Sequence, residues 1–200
     1  LFVSNADGTN KKQLTTTADN ETDAVWIENG QRIAFLTKGQ LWSMNADGSG
    51  RKQLTNSDVD IEGFKFSPDG KKVILIKSLK YTGVIQANPS DLPKATGRKV
   101  TDLMYRHWDH YVETIQHPFV ADVSADGITA GKDLLEGEPY ECPMEPFGGV
   151  EQLAWSPDSK TIAYTCRKKT GREYSISTDS DIFLYNLATG KTTNLCKPAD

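Results

Sequence analysis

Residues 105–113 read Tyr105-Arg106-His107-Trp108-Asp109-His110-Tyr111-Val112-Glu113, the densest cluster of chemistry-bearing side chains in the sequence. His107, Asp109 and His110, with His117 nearby, have residue types that bind a divalent metal. The two histidines flank Trp108 in an aromatic segment, where hydrogen bonds to the backbone around the tryptophan account for them. No metal and no other cofactor is therefore expected. Asp7, Asp47, Asp69 and Asp126 invite a calcium reading, but each is followed by glycine and no D-x-D-x-D-G run is present. Turn chemistry explains them: Asp bonds its own backbone two residues on, and Gly accepts φ > 0. Ser49 lies in Asp47-Gly48-Ser49-Gly50-Arg51, and the sequence contains no Gly-x-Ser-x-Gly elbow. No catalytic residue is expected in these 200 residues.

Something must position that segment, and a repeat shows what. Leu1-Phe2-Val3-Ser4-Asn5-Ala6-Asp7-Gly8 returns forty residues later as Leu41-Trp42-Ser43-Met44-Asn45-Ala46-Asp47-Gly48, and Lys12-Gln13-Leu14-Thr15 as Lys52-Gln53-Leu54-Thr55. A second signal, Phe66-Ser67-Pro68-Asp69-Gly70, returns as Trp155-Ser156-Pro157-Asp158-Ser159, with a degenerate copy at Trp26. A period of about forty residues carried by strands and turns indicates β-propeller blades. Pro presets φ and Asp-Gly supplies the tight turn, so Ser-Pro-Asp-Gly joins two strands as a hairpin. Val73-Ile74-Leu75-Ile76 lacks polar alternation and reads as a strand buried on both faces.

The expected fold is all-β, a partial propeller of about four to five blades of four antiparallel strands. Its repeat units run 1–40, 41–78, 119–150 and 151–200, with an insertion at 79–118. Inside the insertion, Asn88-Pro89-Ser90-Asp91-Leu92-Pro93 reads as a loop. Residues 101–112 fit either a short helix capped by Thr101 or Asp102, or a strand with an ordered loop. Proline and glycine mark residues 131–149 as another long loop. Because the first residue falls inside a repeat, the chain is expected to be a piece of a longer protein.

Net charge is −4, with acidic and basic residues interspersed, which argues against a nucleic-acid footprint. Mean hydropathy is −0.52 and no apolar run approaches the roughly 18 residues of a membrane span. Cys142, Cys166 and Cys196 have no C-x-x-C spacing, so zinc is not expected. Two readings stay open for them: buried free thiols, or a Cys166–Cys196 disulfide in an exported chain.

The paired signatures resemble the propeller repeat of TolB and of the prolyl oligopeptidase family. Leu103-Met104-Tyr105-Arg106-His107-Trp108-Asp109, followed by Pro118-Phe119-Val120-Ala121-Asp122-Val123, resembles the insertion of that family's acylaminoacyl-peptidase and dipeptidyl peptidase V-like branch. The resemblance implies a non-catalytic propeller domain that gates access to a C-terminal α/β-hydrolase domain, absent from these residues, and helps bind the amino end of a peptide substrate. It implies a periplasmic or exported protein. Arg106, Trp108, Asp109 and Glu113 then become candidate substrate-binding residues, since a desolvated ammonium needs a carboxylate. Tyr105, Trp108 and Tyr111 would line an apolar subsite. Competing structural readings are an Arg106–Asp109 salt bridge and packing of the aromatics within the insertion. The alternative function is a TolB-like protein-binding propeller without activity. In either case open blade faces would favour self-association.

Overall fold

The computed structural model describes residues 1–86 and 94–197. The loop read at residues 88–93 lies outside the described residues. The fold is that of a β-propeller, built from antiparallel sheets. β1 (Phe2–Val3) pairs with β2 (Lys12–Gln13). β3 (Thr22–Ile27), β4 (Arg32–Thr37), β5 (Gln40–Asn45) and β6 (Lys52–Gln53) form a four-stranded sheet in chain order. β7 (Ile61–Phe66) and β8 (Lys72–Lys80) begin the next. Inside the insertion, β9 (Val84–Gln86) pairs with β10 (Arg98–Val100), and β11 (Arg106–His107) with β12 (His110–Tyr111). β13 (Thr114–Asp122) and β14 (Lys132–Asp133) then complete the interrupted sheet, in the order β14-β13-β8-β7. In the last sheet β15 (Leu153–Trp155), β16 (Thr161–Cys166), β17 (Asp181–Asn186) and β18 (Thr192–Asn194) follow chain order. A short helix, α1 (Gly171–Ile176), lies between β16 and β17.

The chain divides into two compact units, Leu1–Lys77 with Phe119–Lys132 and Ser78–Pro118 with Asp133–Asp200. In the first unit the burial of β4 explains why a blade needs neighbours. Ile33 and Phe35 pack with Met44, joined by Leu14 and Trp42. Ala34 and Leu36 point the other way, into a cluster with Leu41, Ile61, Phe64, Val73, Leu75 and Ala121. Alternate residues of one strand thus feed two different cores, as period-2 geometry requires. Val73, Ile74, Leu75 and Ile76 on β8 are all buried, as the uninterrupted apolar run predicts.

The repeated residues make repeated bonds. Lys12 Nζ donates to the Asp47 carbonyl at 3.0 Å, and its repeat partner Lys52 donates to the Ala125 carbonyl at 2.7 Å. Asp7 Oδ1 accepts from the Thr9 N–H and Asp47 Oδ1 from the Ser49 N–H, both at 2.9 Å. In the Ser-Pro-Asp turns, Ser67 Oγ donates to Asp69 Oδ1 and Ser156 Oγ to Asp158 Oδ1, each at 2.7 Å. These aspartates are spent on turns. Among the described residues no group of three or more His, Cys, Asp or Glu is placed to hold a metal ion.

Residues 101–112 contain no helix; the strand reading holds, as the β11–β12 hairpin. The helix that does form, α1, occupies the position between second and third strands that the insertion takes in the preceding sheet.

Candidate functional site

The second unit gathers the candidate residues on the insertion. Its interior is a small cluster of Tyr81, Met104, Val112 and Ile115, with Tyr174 of α1 packed against it. Asp102 ties the same pieces together: Oδ1 accepts from the Met104 N–H and Oδ2 from the Gly171 N–H, each at 3.0 Å. The β11–β12 hairpin stands on this base. His107 pairs with His110, which leaves Trp108 and Asp109 alone at the turn.

Trp108 adopts φ of +39°, uncommon for a bulky side chain, and Arg106 Nε donates to its carbonyl at 2.8 Å. The indole is 73% exposed and meets the 74% exposed ring of Phe147 edge to face, with centroids 4.8 Å apart. Two large aromatics held together in water are the outstanding apolar feature of this turn. Beside them the Asp109 side chain is 92% exposed and accepts a hydrogen bond from His110 Nδ1 at 3.0 Å. That bond is the largest cause holding its carboxyl below the usual carboxylate range, so Asp109 is an anion at neutral pH.

Several expectations are corrected here. The Arg106–Asp109 salt bridge does not form: the Arg106 guanidinium lies over the Tyr111 ring, 5.5 Å from its centroid, and Asp109 turns to His110. The histidines do not serve the backbone around Trp108. His107, buried, donates through Nε2 to Glu141 Oε2 at 3.0 Å, while His110 serves Asp109. Glu113 is on the insertion but committed, accepting from Arg98 at 2.6 Å. Tyr111 is half-buried under Arg98 and Arg106. The three cysteines are free thiols: Cys142 and Cys166 are buried and Cys196 is exposed.

Glu141, Phe147 and Tyr174 were missed by the sequence reading. Glu141 and Phe147 lie in the proline-rich stretch read only as a loop. The signal available was slight: a glutamate and a phenylalanine set among prolines and glycines, in a stretch with no serine or asparagine.

No protein-family model matches the chain. Dipeptidyl-peptidase 5 of Porphyromonas gingivalis is 52% identical over 199 residues, covering 98% of this chain. Over this stretch the chain is homologous to dipeptidyl-peptidase 5. It spans 29% of the length of that relative. Among solved structures, an acylaminoacyl peptidase of Pyrococcus horikoshii aligns with TM-score 0.58 at 13% identity, covering 97% of this chain and 27% of that one. The TolB structure from Agrobacterium tumefaciens aligns at 0.54 and 13%, covering 97% and 52%. At such identities the structural matches speak for the propeller fold alone. The resemblance of the repeats to peptidase and TolB propellers is thereby borne out.

Proposed function

We propose that these residues are a non-catalytic propeller segment of a dipeptidyl-type serine exopeptidase, screening access to the catalytic site and holding the free amino end of the peptide. The bond-breaking chemistry belongs to an α/β-hydrolase domain in the remainder of such a protein. The observation that carries the reading is the turn of the β11–β12 hairpin. It offers an ionised, almost fully exposed Asp109 carboxylate next to the exposed Trp108–Phe147 pair. An ammonium group is held by such a combination, through a charge-assisted hydrogen bond to the carboxylate and attraction to an aromatic face. Glu113 does not compete for it, since Arg98 already neutralises it, and Arg106 acts by holding the turn. The TolB-like alternative has similarity of fold on its side, whereas the homology over 199 residues favours the peptidase.

The test is steady-state kinetics of the full-length protein on chromogenic dipeptidyl substrates. D109N should raise KM about 10- to 100-fold, the range expected for loss of one charge-assisted hydrogen bond, and W108A about 2- to 30-fold, the range for loss of a cation–π contact, with kcat little changed in both. E113Q should move KM much less. Wild-type KM in D109N would overturn the assignment, and absence of peptidase activity in the full-length protein would overturn the reading as a whole.

A further inference from the structure

The turn that carries Trp108 and Asp109 tips a hairpin whose two strands are only two residues long each. Isolated two-stranded hairpins are marginal in water, so something else must fix it. The structure assigns that task to Glu141. This inference rests on the function proposed above, because it concerns the positioning of that same turn.

Glu141 is 4% exposed, and both carboxylate oxygens are used. Oε2 accepts from His107 Nε2 at 3.0 Å, and Oε1 accepts from the Tyr174 hydroxyl at 3.2 Å. His107 immediately precedes Trp108, so the first bond acts one residue from the turn. Tyr174 belongs to α1 and packs into the cluster beneath the hairpin, so the second bond ties in the helix. The backbone of Glu141 is itself anchored. Its carbonyl accepts from Cys166 Sγ on β16 at 3.4 Å, and the next N–H, that of Cys142, donates to the Gln116 carbonyl on β13 at 2.8 Å. Cys142 Sγ returns to the Thr165 carbonyl on β16 at 3.5 Å. A continuous path of buried bonds therefore runs from propeller strands through Glu141 to His107. Six residues on from Glu141, the same loop places Phe147 against Trp108.

A carboxylate this deeply buried is tolerated only because its hydrogen bonds are satisfied. Removing it orphans His107 and Tyr174 together and releases the turn from the framework. Glu141 touches neither substrate nor reacting atoms in this arrangement; it is a positioning residue, and the property it controls is affinity for a free amino end.

The experiment uses the full-length protein labelled with 5-fluorotryptophan, the Trp108 resonance being assigned by its loss in W108F. In E141A that resonance should shift and broaden, and KM for a dipeptidyl substrate should rise about tenfold with kcat within about twofold. E141Q, which retains an oxygen acceptor for Tyr174, should recover part of both. Y174F removes a single hydroxyl, keeps the packing, and should give a smaller change of the same kind. An unchanged Trp108 resonance in both E141A and Y174F would overturn the inference, as would equal falls in kcat and kcat/KM with KM unchanged. A shifted resonance with unchanged KM in E141A and D109N would instead leave the positioning role standing and sink the amino-end reading.

Discussion

Lys77 donates from Nζ to the Ala130 carbonyl at 2.6 Å while its ammonium sits 4.7 Å from the centroid of the Phe119 ring. The residue is only 7% exposed, and desolvation, partly countered by Asp58, lowers its pKa below the ordinary lysine value of 10.5. In the interval between the lowered value and 10.5 the unfolded chain carries the extra proton. This group therefore adds stability as pH rises through that interval. Lys77→Met should abolish this alkaline gain. At neutral pH it should stay within about 1 kcal/mol of wild type or exceed it, because an apolar side chain of similar length escapes the desolvation penalty. Urea unfolding at a series of pH values measures both effects.

The thiols act in the opposite sense. Burial pushes Cys166 up to about 12 and Cys142 well above the ordinary 9.0. Each contributes stability that is whole below pH 9 and lost as pH rises toward the folded value. Each thiol held neutral only in the folded state costs about 1.4 kcal/mol of stability per pH unit in that range. C166A should flatten this alkaline loss. At neutral pH a thiol-specific chromogenic disulfide should react rapidly with the exposed Cys196 alone, and with all three cysteines only after denaturation.

Two turn aspartates contribute on the acid side. Asp47 and Asp158 are held below the ordinary carboxylate value of 3.8, chiefly by the side-chain hydroxyls of Ser49 and Ser156. Their contribution is present above 3.8 and disappears as pH falls through the lowered values. Carboxyl-carbon NMR titration should place both midpoints below 3.8, and S49A and S156A should return the respective midpoint toward it.

Gly148 is a packing requirement of the loop that carries Glu141 and Phe147. A Cβ there would lie 2.4 Å from the Met144 carbonyl oxygen and 2.7 Å from its nitrogen, and backbone cannot swing aside as a side-chain tip can. Gly148→Ala should cost about 1–3 kcal/mol, as overpacking does, and lower the thermal midpoint by several degrees. It should also disturb the Trp108–Phe147 pair, visible as increased quenching of tryptophan emission.

What was legible in the sequence was whatever local chemistry determines. Ser67-Pro68-Asp69-Gly70 forms its hairpin from its own side-chain bonds, and Val73–Ile76 is buried because an uninterrupted aliphatic run has nowhere else to go. The interior of the insertion was not legible. Its strands of two or three residues are too short to show a period, and α1 has six residues and no side-chain cap. Trp108 and Asp109 were legible only by type, as an aromatic and a carboxylate side by side in the insertion. Their support was not, because His107 and Glu141 lie 34 positions apart and meet only through the tertiary fold.

The Tyr81 N–H donates to the Glu113 carbonyl at 2.9 Å, so the insertion leaves and rejoins the sheet at a single rung. Its two ends are already where a short hairpin turn would put them. The segment is therefore a cassette: it can be lengthened, shortened or exchanged between proteins while the ladder below keeps its register. The graft has a condition, however: a transplanted 82–112 keeps its turn only where Glu141, Phe147 and Tyr174, which lie outside it, travel with it.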